Sequence, residues 1–349
     1  MYKLKIFIIT SFLFMQDFDQ LEFGNQNHLD IITWNIEWFP KNEQITIDYV
    51  AQIIEALDVD LIAMQELDDT VLFNQMINDL DNYNSYYESS WFAGLAFIYK
   101  SNEIEINNIY EIYTTSEYWS PFPRSPMVLD MNFLGENYII INNHFKCCGD
   151  GILDLNDNGD EEMRRYIANN LLKEYIELNF NENNVILLGD LNDSLTDEVE
   201  NNIFQMFIDD SENYLFVDMP IAQGDIIEWS FPNWPSHLDH IIISNELFSI
   251  FENGNSYCET IKIDDYFDGG FYEYDQNISD HRPIALKLAV QNSILGDINE
   301  DSLINIQDIL LIINIILSNE YNYNGDINTD NTIDILDVIQ IINIILYQS

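Results

Sequence analysis

Five short polar segments, each joined to a strand-like apolar run, constrain the fold more than any other feature of this sequence. They are TWNIEW, MQEL, NNHFK, LLGDLND and, taken together as the fifth, HLDH with SDHRP. The apolar runs have the length of buried β-strands, and residues 50–57 show helical periodicity. Because the loops at one edge of an α/β protein converge, we expect the polar side chains of these segments to meet there. They belong to Asn35, Glu66, His144, Asp190, Asn192, Asp239, Asp280 and His281.

Strand-like segments outnumber helical ones over the first 290 residues. Strands are predicted at DIITWNI, DLIAMQE, GLAFIYK, MVLDMNF, NYIIINNHF, NVILLGD, HLDHIIIS and IALKLAV, with a helix at Glu161 to Leu178. This pattern predicts an α/β fold, a four-layered sandwich of two packed mixed sheets flanked by helices. The polar loops are expected at one edge of the sheets.

A repeat marks a second, smaller domain, which we assign to residues 291–349. GDINEDSLINIQDILLIINIIL returns 29 residues later as GDINTDNTIDILDVIQIINIIL. In each copy, side chains that carry oxygen occupy positions 1, 3, 5, 9 and 12 of a loop that leads into an apolar helix. This spacing is typical of an EF-hand-like loop that binds Ca²⁺. The residues are Asp297, Asn299, Asp301, Asn305 and Asp308, then Asp326, Asn328, Asp330, Asp334 and Asp337.

The first 16 residues have the pattern of a secretory signal peptide, in which Lys3 and Lys5 precede an apolar run. An uncleaved membrane anchor is the alternative, but the run is short for a bilayer span, so we expect export and a catalytic domain at residues 17–290. No stable membrane span is expected in the mature protein, since polar residues interrupt the apolar segment from Ile304 to Leu317. We therefore expect the protein to be secreted, either extracellular or at the cell surface.

The sequence contains three cysteines, Cys147, Cys148 and Cys258, and does not determine whether two of them form a disulfide. Export permits one disulfide, and the sequence does not choose among the pairings. Adjacent cysteines lack the spacing of a zinc site, so a structural zinc is not expected.

The formal charge of −49, from 61 acids against 12 bases, repels nucleic acid at long range. A polyanionic substrate would therefore need metal ions and a local basic cluster. The bases in or near the polar segments are Arg124, Lys146, Arg164, Arg165 and Arg282. The alternative is that the acids only solvate an ordinary protein surface.

In their order along the chain, the five segments resemble those of the endonuclease/exonuclease/phosphatase superfamily. That superfamily includes deoxyribonuclease I-like nucleases, inositol-polyphosphate phosphatases and bacterial sphingomyelinases. The resemblance implies that Asn35, Glu66 and Asp280 hold Mg²⁺ or Mn²⁺, with Asn35 also contacting the scissile phosphate. Carboxylate and amide oxygens suit these hard cations. Arg124 in PFPRSP resembles an arginine that some members direct at a phosphate.

The same resemblance implies catalytic roles for five residues. Asp190 would orient or deprotonate the attacking water, and Asn192 would help to position it. His281 would donate to the phosphoryl oxygen, kept protonated by Asp239, since a carboxylate raises the pKa of a neighbouring imidazole. His144 would be a second donor near the leaving group.

Two residues beside these positions have structural interpretations. In HLDHI, strand alternation places His237 and Asp239 on one face and His240 on the other, so we interpret His240 as a hydrogen-bonded core residue. Arg282 is interpreted either as part of the basic cluster or as one partner of a strand-end ion pair.

The segment CCGDGILDLNDNGDEEMRR departs from the simple family pattern. Asp154, Asn156, Asn158 and Gly159 begin like a third calcium loop, but the twelfth position is Arg165, where a carboxylate is needed. The alternative for residues 154–165 is a polar active-site loop that leads into a helix.

The repeated pair resembles a type I dockerin, a module that folds on calcium and binds a cohesin. The resemblance implies Ca²⁺ in both loops and a cohesin-like receptor as partner. Ser302 and Asn331 stand where the loop pattern has glycine. Ile306-Gln307 and Ile335-Leu336 stand where such modules usually carry small hydroxyl residues.

These features predict a secreted, metal-dependent phosphodiesterase joined to a docking module. Hydrolysis of DNA is the leading hypothesis, with RNA as a further candidate and nucleic acid as the substrate class. A sphingomyelinase-like or other phosphoester hydrolase is the alternative, for which Trp229 and Trp234 would either contact a membrane or pack against proline turns. A non-catalytic binding protein is the third hypothesis.

Overall fold

In a computed structural model the chain divides into two compact units, Met1–Ala289 and Val290–Ser349. The structure describes residues 18, 20–25, 28–89, 93–252, 255–289, 295–299, 303–318, 321–328, 330 and 332–347. The signal-peptide interpretation of residues 1–16 therefore lies outside the described residues. Within the part of the chain that the structure describes, no helix is long and apolar enough to cross a membrane.

In the first unit strands predominate, and helices are inserted between some of them. The strands are β1 (Leu29–Phe39), β2 (Leu61–Leu67), β3 (Tyr83–Tyr86), β4 (Gly94–Lys100), β5 (Ile104–Glu111), β6 (Met127–Phe133), β7 (Glu136–His144), β8 (Asn184–Asp190), β9 (Tyr214–Phe216), β10 (Asp239–Ser244), β11 (Tyr257–Thr260) and β12 (Ile284–Leu288). The helices are α1 (Glu43–Leu57), α2 (Thr70–Asn78), α3 (Glu161–Asn179), α4 (Gln205–Ile208), α5 (Met219–Ala222), α6 (Phe248–Phe251) and α7 (Phe271–Asn277). All eight predicted strands and the predicted helix are confirmed, whereas β3, β5, β9 and β11 were not predicted.

The strands form two six-stranded mixed sheets. The first has the order β11-β12-β1-β2-β4-β3 and the second β5-β6-β7-β8-β10-β9. Each sheet has one parallel pair near its centre, β1 with β2 and β7 with β8, and all its other pairs are antiparallel. The carboxyl ends of a parallel pair lie at the same edge, so each sheet presents two strand ends side by side.

Alternation along β1 sends its side chains into two different layers. Ile32 and Trp34 belong to a buried cluster with residues of α1, α2 and α7. A second cluster joins the outer face of the other sheet to α3. Between the sheets, the Gln65 amide donates to Asn142 Oδ1 at 2.8 Å, a buried polar contact from β2 to β7. The molecule therefore has the predicted order of helix, sheet, sheet and helix layers.

The second unit contains α8 (Ile306–Ser318) and α9 (Ile335–Tyr347). Its core contains Ile298, Ile312, Val338 and Ile341. Of the predicted ligands only Asp301 lies outside the described residues, as do the neighbouring loop positions 302 and 331.

The two copies of the repeat form the same loop. At position 12, the carboxylate of Asp308 accepts hydrogen bonds from Ile298 N and Asn305 N at 2.7 and 2.8 Å. Asp337 accepts from Ile327 N and Asp334 N, both at 2.9 Å. Both carboxylates are fully buried. Each loop is therefore closed around its last acid, which fits a loop that holds Ca²⁺.

Candidate active site

The polar segments meet at one edge of the two packed sheets. Asn35 lies in the second half of β1, Glu66 is the last but one residue of the parallel strand β2, and His144 and Asp190 end the parallel strands β7 and β8. A pocket of about 480 Å³ opens at this edge. Its lining residues are Asn35, Glu37, Trp38, Glu66, His144, Cys147, Cys148, Asp190, Asn192, Phe231, Trp234, Leu238, Asp280 and His281. The structure thus brings together seven of the predicted site residues, with Asp239 directly behind them.

An imidazole lies between two buried carboxylates. His281 Nδ1 is 2.7 Å from Asp239 Oδ2, and its Nε2 is 3.9 Å from Asp190 Oδ2. Burial lowers the pKa of His281, but the charges of Asp239, Asp190 and Asp280 outweigh burial and raise that pKa to about 10. His281 is therefore an imidazolium at neutral pH, and its Nε2–H points into the site.

The hydroxyl of Ser279 joins the His281 segment to β1. It donates to Asn35 O at 2.6 Å and accepts from His281 N at 3.0 Å. This pair of hydrogen bonds fixes the His281 backbone against the strand that carries Asn35.

Asp190 is fully buried and is held from two sides. The amide of Asn35 donates to its Oδ2 at 2.9 Å, and Asn192 N donates to its Oδ1 at 3.1 Å. The pKa of Asp190 is raised to about 7, chiefly by burial. The charge of His281 and the hydrogen bond from Asn35 lower this pKa, whereas the charges of Asp239 and Glu66 raise it. A carboxyl group with a pKa near neutrality is suited to accept a proton during a reaction.

His144 is a neutral imidazole. Burial, followed by the positive charges of Arg124 and His281, holds its pKa well below the usual range. Its Nε2 lies 3.6 Å from Glu66 Oε1 and 3.5 Å from Asp190 Oδ2. An Nε2–H in this position can donate a hydrogen bond without the ring carrying charge.

Hard oxygen donors on the open side of the pocket fit a divalent cation. Glu66 and Asp280 are both partly exposed there. Trp38 N donates to Glu66 Oε2 at 3.2 Å, and Asp280 N donates to Glu37 Oε2 at 2.8 Å. Carboxylate oxygens of this kind suit Mg²⁺ or Mn²⁺. The acid–imidazolium group of Asp190, Asp239 and His281 is also compact, but a protonated ring has no lone pair for a metal.

Backbone strain is concentrated around the pocket. Five of its lining residues other than glycine have positive φ: Glu37 (42°), Trp38 (52°), Glu66 (63°), Cys148 (73°) and Asn192 (56°). This conformation is unfavourable for residues with a Cβ and persists where the surroundings enforce it. Such clustering is typical of functional sites.

The predicted basic cluster is only partly supported. Arg282 is buried, and its Nε and Nη2 donate to Asp264 at 2.8 and 2.6 Å. Arg282 is therefore one partner of an ion pair and does not belong to the basic cluster. Arg165 is equally buried and pairs with Asp193. Neither guanidinium is available to a substrate, because each donates its hydrogen bonds to carboxylates and backbone carbonyls inside the fold. Lys146 is half-buried, with its ammonium donating to Cys147 O.

Arg124 lies beside the site without lining the pocket. Its Nε donates to Ala93 O at 3.2 Å, and its charge acts on His144. Arg164 donates from its Nε to Ser120 O. A phosphate contact by Arg124 stays a prediction.

The placement of His237 with Asp239 was wrong. His237 Nε2 and His240 Nδ1 both bind Asp218 Oδ2, at 3.0 and 2.6 Å. Because β10 begins at Asp239, His237 precedes the strand and strand alternation does not govern it. The core interpretation of His240 is confirmed, since its Nε2 also reaches Asp193 O at 2.8 Å and the ring is fully buried.

Several pocket residues were not identified from the sequence. Glu37 and Trp38 follow Asn35 where the pairing of β1 with β2 is irregular, so strand alternation does not place them. Phe231 packs its ring against His281 at a centroid distance of 4.9 Å. Its place follows from the fold of the loop before β10, for which the sequence carries no local signal. All three cysteines are free thiols.

Comparisons with known proteins agree with this architecture. The profile of the Endonuclease/Exonuclease/phosphatase family matches residues 32–281, and that of the dockerin type I domain matches residues 295–346. No curated protein matches the chain.

Solved structures with similar folds share little sequence with this chain. TDP2 from D. rerio, complexed with a single-strand DNA product, has a TM-score of 0.54 and 14% identity over 75% of this chain and 98% of its own. The human Nocturnin catalytic domain with bound sulfate has a TM-score of 0.53 and 15% identity, covering 76% and 95%. A mannosyl-6-phosphatase from Bacteroides thetaiotaomicron has a TM-score of 0.50 and 14% identity, covering 74% and 99%.

Proposed function

The chain belongs to the Endonuclease/Exonuclease/phosphatase family, and on that premise we propose that it is a secreted, metal-dependent phosphodiesterase that hydrolyses DNA, and also RNA. The coarser assignment, a phosphoesterase of this superfamily, follows from the family itself. One observation carries the rest of the proposal. A base with a pKa near 7, Asp190, lies 3.9 Å from a donor that is protonated at neutral pH, His281, in a pocket that also contains Glu66 and Asp280.

These side chains divide the work of attack on a phosphodiester. Asp190 accepts the proton of the attacking water, and Asn192 holds that water in line. The Nε2–H of His281 donates to a phosphoryl oxygen, and Asp239 keeps the ring charged as negative charge develops. His144 donates a hydrogen bond from its neutral Nε2–H to the leaving oxygen, which takes up a proton from solvent as the P–O bond breaks.

Glu66, Asp280 and Asn35 would hold the divalent cation. The cation would neutralise a phosphoryl oxygen and stabilise the charged transition state. Glu66 and Asp280 fit this role because they are partly exposed in the pocket, whereas Asn35 is buried and would share an Oδ1 that also accepts from Glu37 N at 3.0 Å.

Two exposed tryptophans favour nucleic acid over a small phosphoester. Trp38 and Trp234 line the pocket with 48% and 81% of their surface exposed. Flat aromatic faces beside a phosphate site can stack on bases, which contributes about 1–3 kcal/mol per base. This contact does not depend on positive charge, so it suits a protein of charge −49 that must bind a polyanion.

A phospholipid headgroup is the second candidate, since the exposed Trp234 could equally enter a membrane surface. Trp229 does not take part in either function, because its indole N–H donates to Ile221 O inside the fold at 3.1 Å.

The test is a panel of phosphoesters assayed at equal enzyme and Mg²⁺ concentrations. It contains supercoiled plasmid, single-stranded DNA, RNA, a choline phosphodiester and a sugar phosphate, each with Mg²⁺, Mn²⁺, Ca²⁺ and chelator. We expect plasmid nicking with Mg²⁺ or Mn²⁺ that disappears with chelator and in Asp190→Ala. Rapid release of choline phosphate without nicking would replace the nuclease proposal with the lipid one.

We propose that the second unit binds Ca²⁺ in both loops and docks on a cohesin-like receptor. Dockerin domains bind cohesins, and α8 and α9 expose apolar side chains that such a partner could cover. Leu310, Leu317, Leu336 and Leu346 are each more than half exposed. Export agrees with this docking role and with the pattern of residues 1–16.

A further inference from the structure

The loop between β7 and α3 carries an unusual density of acids. Residues 149–162 contain six acids and neither lysine nor arginine. Three of these acids converge: one oxygen each from Asp150, Asp160 and Glu162 lie within 4.8 Å of one another. Two oxygens that share one Ca²⁺ ion are separated by at most about 5 Å, so the spacing is that of a common cation.

Glu162 shows that the convergence is built into the fold. Its side chain is 1% exposed, and its Oε1 accepts from Gly151 N at 2.7 Å. Its Oε2 is buried and has no hydrogen-bond donor among the described residues. A buried carboxylate oxygen without a partner costs free energy that a bound cation would recover.

Gly149 lets the backbone close on this carboxylate. Its φ of +112° is a conformation that favours glycine, and a Cβ at this position would lie 2.1 Å from Glu162 Oε1. The loop therefore wraps the buried acid so closely that no side chain fits at residue 149.

The start of α3 explains only part of the cluster. Asp160 is the N-cap, with its Oδ2 accepting from Met163 N at 2.8 Å, and acids are favourable in a first helical turn. This accounts for Asp160 but not for Asp150, which lies ten residues earlier and is exposed beside it. Arg165, which lies 3.3 Å from Glu162 Oε1, also serves Asp193 and the carbonyls of residues 146 and 148.

We propose that Asp150, Asp160 and Glu162 bind a Ca²⁺ ion. An all-oxygen set that is buried at one end and open to solvent at the other suits a cation with six to eight flexible ligands, completed by water and backbone carbonyls. Mg²⁺ requires a compact octahedral shell and gives up its waters reluctantly, so it is the weaker candidate.

This site differs from the EF-hand-like loop predicted over residues 154–165. Asp154 Oδ1 accepts from Asn156 N at 2.9 Å, and Asp157 Oδ1 accepts from Gly159 N at 2.8 Å. Asp150 closes a similar turn with Ile152 N at 3.1 Å, but it belongs to the group of converging oxygens, whereas Asp154 and Asp157 do not. Arg165, at the twelfth position, points to Asp193 and leaves no carboxylate there.

The ion would act on the pocket through Arg165. The guanidinium joins Glu162 to Cys148 O at 2.7 Å and to Asp193 at 2.9 Å. Cys148 lines the pocket, and Asp193 follows directly after Asn192. Calcium therefore orders the wall of the pocket and the loop that carries the proposed water-positioning residues.

Hydrogen exchange of the full chain, resolved by peptide, tests the site without relying on activity. We expect Ca²⁺ to protect the peptide over residues 146–163, and tenfold more Mg²⁺ to leave it unprotected. Asp150→Asn should weaken the Ca²⁺ concentration dependence of that protection by about tenfold or more. Asp157→Asn is the matched control in the same loop and should leave it unchanged, because the amide oxygen still accepts from Gly159 N.

The peptides of α8 and α9 serve as an internal reference in the same sample. No Ca²⁺ response at residues 146–163, while those peptides respond, would overturn the site. An Asp150→Asn protein that keeps the wild-type response would overturn the ligand set, and equal protection by Mg²⁺ would overturn the choice of ion. All three outcomes are independent of whether the enzyme cleaves DNA.

Discussion

The two units of this protein hold buried carboxylates in different ways. In the first unit the buried acids have basic partners, such as His281 for Asp239 and Arg282 for Asp264. Residues 290–349 contain nine acids and neither lysine, arginine nor histidine. The first unit can therefore neutralise its site with its own side chains, whereas the second has to take positive charge from solution.

The loop over residues 149–162 is an intermediate case inside the first unit. Its three converging acids lie beside Arg165 in α3, and that arginine is shared with Asp193. The ratio of bases to buried acids thus decides which parts of the chain depend on added cations. Four predictions test this rule, beginning with the largest effect.

Removal of Ca²⁺ should unfold the second unit and leave the first folded. Without cations, the fully buried carboxylates of Asp308 and Asp337 repel the other acids of their loops, and metal binding supplies the folding free energy of small calcium modules. Hydrogen exchange on the full chain should show α8 and α9 losing protection in chelator, while β1 and β8 keep theirs.

Two controls accompany this experiment. Ca²⁺ should restore the protection, and a chain ending at Gln291 should keep full activity. Equal protection of α8 and α9 with and without chelator would mean that the second unit does not need external charge.

Loss of either the Asp190 carboxylate or the His281 imidazolium should strongly lower turnover without unfolding the protein. Asp190→Ala and His281→Ala should each lower turnover by about a hundredfold or more, because one removes the base and the other the charged donor. Turnover and melting temperature are measured together. Wild-type turnover in either variant, on a substrate that the enzyme cleaves, would remove the proposed mechanism.

The sequence was most informative where burial is greatest. The eight predicted strands occupy the interiors of the sheets, where both faces are covered and the apolar run is continuous. The four strands that were not predicted, β3, β5, β9 and β11, are the four edge strands. They are short or polar, as in IEINNIYE of β5, because an edge strand needs no continuous apolar run.

The candidate site shows the same limit. Asn35 lies within β1, Asp190 ends β8 and His281 comes shortly before β12, each in a recognisable segment, so their convergence was predictable. The partners of the arginines were not, because Asp264 lies 18 residues before Arg282 in a region without motif or periodicity. Contacts made by packing between distant loops leave no local pattern in the sequence.

A milder change tests whether Asp239 provides charge or only position. Asp239→Asn keeps the shape but removes a charge that raises the pKa of both Asp190 and His281. Both limbs of the kcat/KM profile should therefore move to lower pH, with turnover at neutral pH reduced by about tenfold. A loss of activity without any shift of the profile would assign Asp239 a purely positional role.

The smallest effect concerns a buried acid that its lysine does not fully neutralise. Asp60 is 2% exposed, and its Oδ1 lies 3.6 Å from Lys100 Nζ. Burial raises the pKa of Asp60 to about 8, against an unfolded value near 4, with a smaller contribution from Asp30. A carboxyl group whose folded pKa is raised contributes stability that is complete below the unfolded pKa and is lost as the pH rises through the folded pKa.

Asp60→Asn should therefore become more stable relative to wild type as the pH rises from 7 to 9, by on the order of 1–2 kcal/mol in the free energy of unfolding. Asparagine resembles the protonated acid and can still accept from Asp30 N, which donates to the native carboxylate at 2.8 Å. Within this window His28, with its pKa lowered to about 4 chiefly by burial, is neutral in the folded state of both proteins. Chemical denaturation of both proteins across the window measures the difference, so that titrations common to both cancel.

Asp58→Asn is the matched control, since Asp58 contacts the same lysine at 2.9 Å but is mainly exposed. Its φ of 47° also suits asparagine, so the change should not strain the backbone. We expect no pH-dependent difference in this variant, because its charge is already solvated. If Asp58→Asn and Asp60→Asn changed the free energy of unfolding by the same amount at each pH, the charge of Lys100 and not the burial of Asp60 would set the pH dependence. The first unit would then neutralise all of its buried acids, and its contrast with the second unit would be complete.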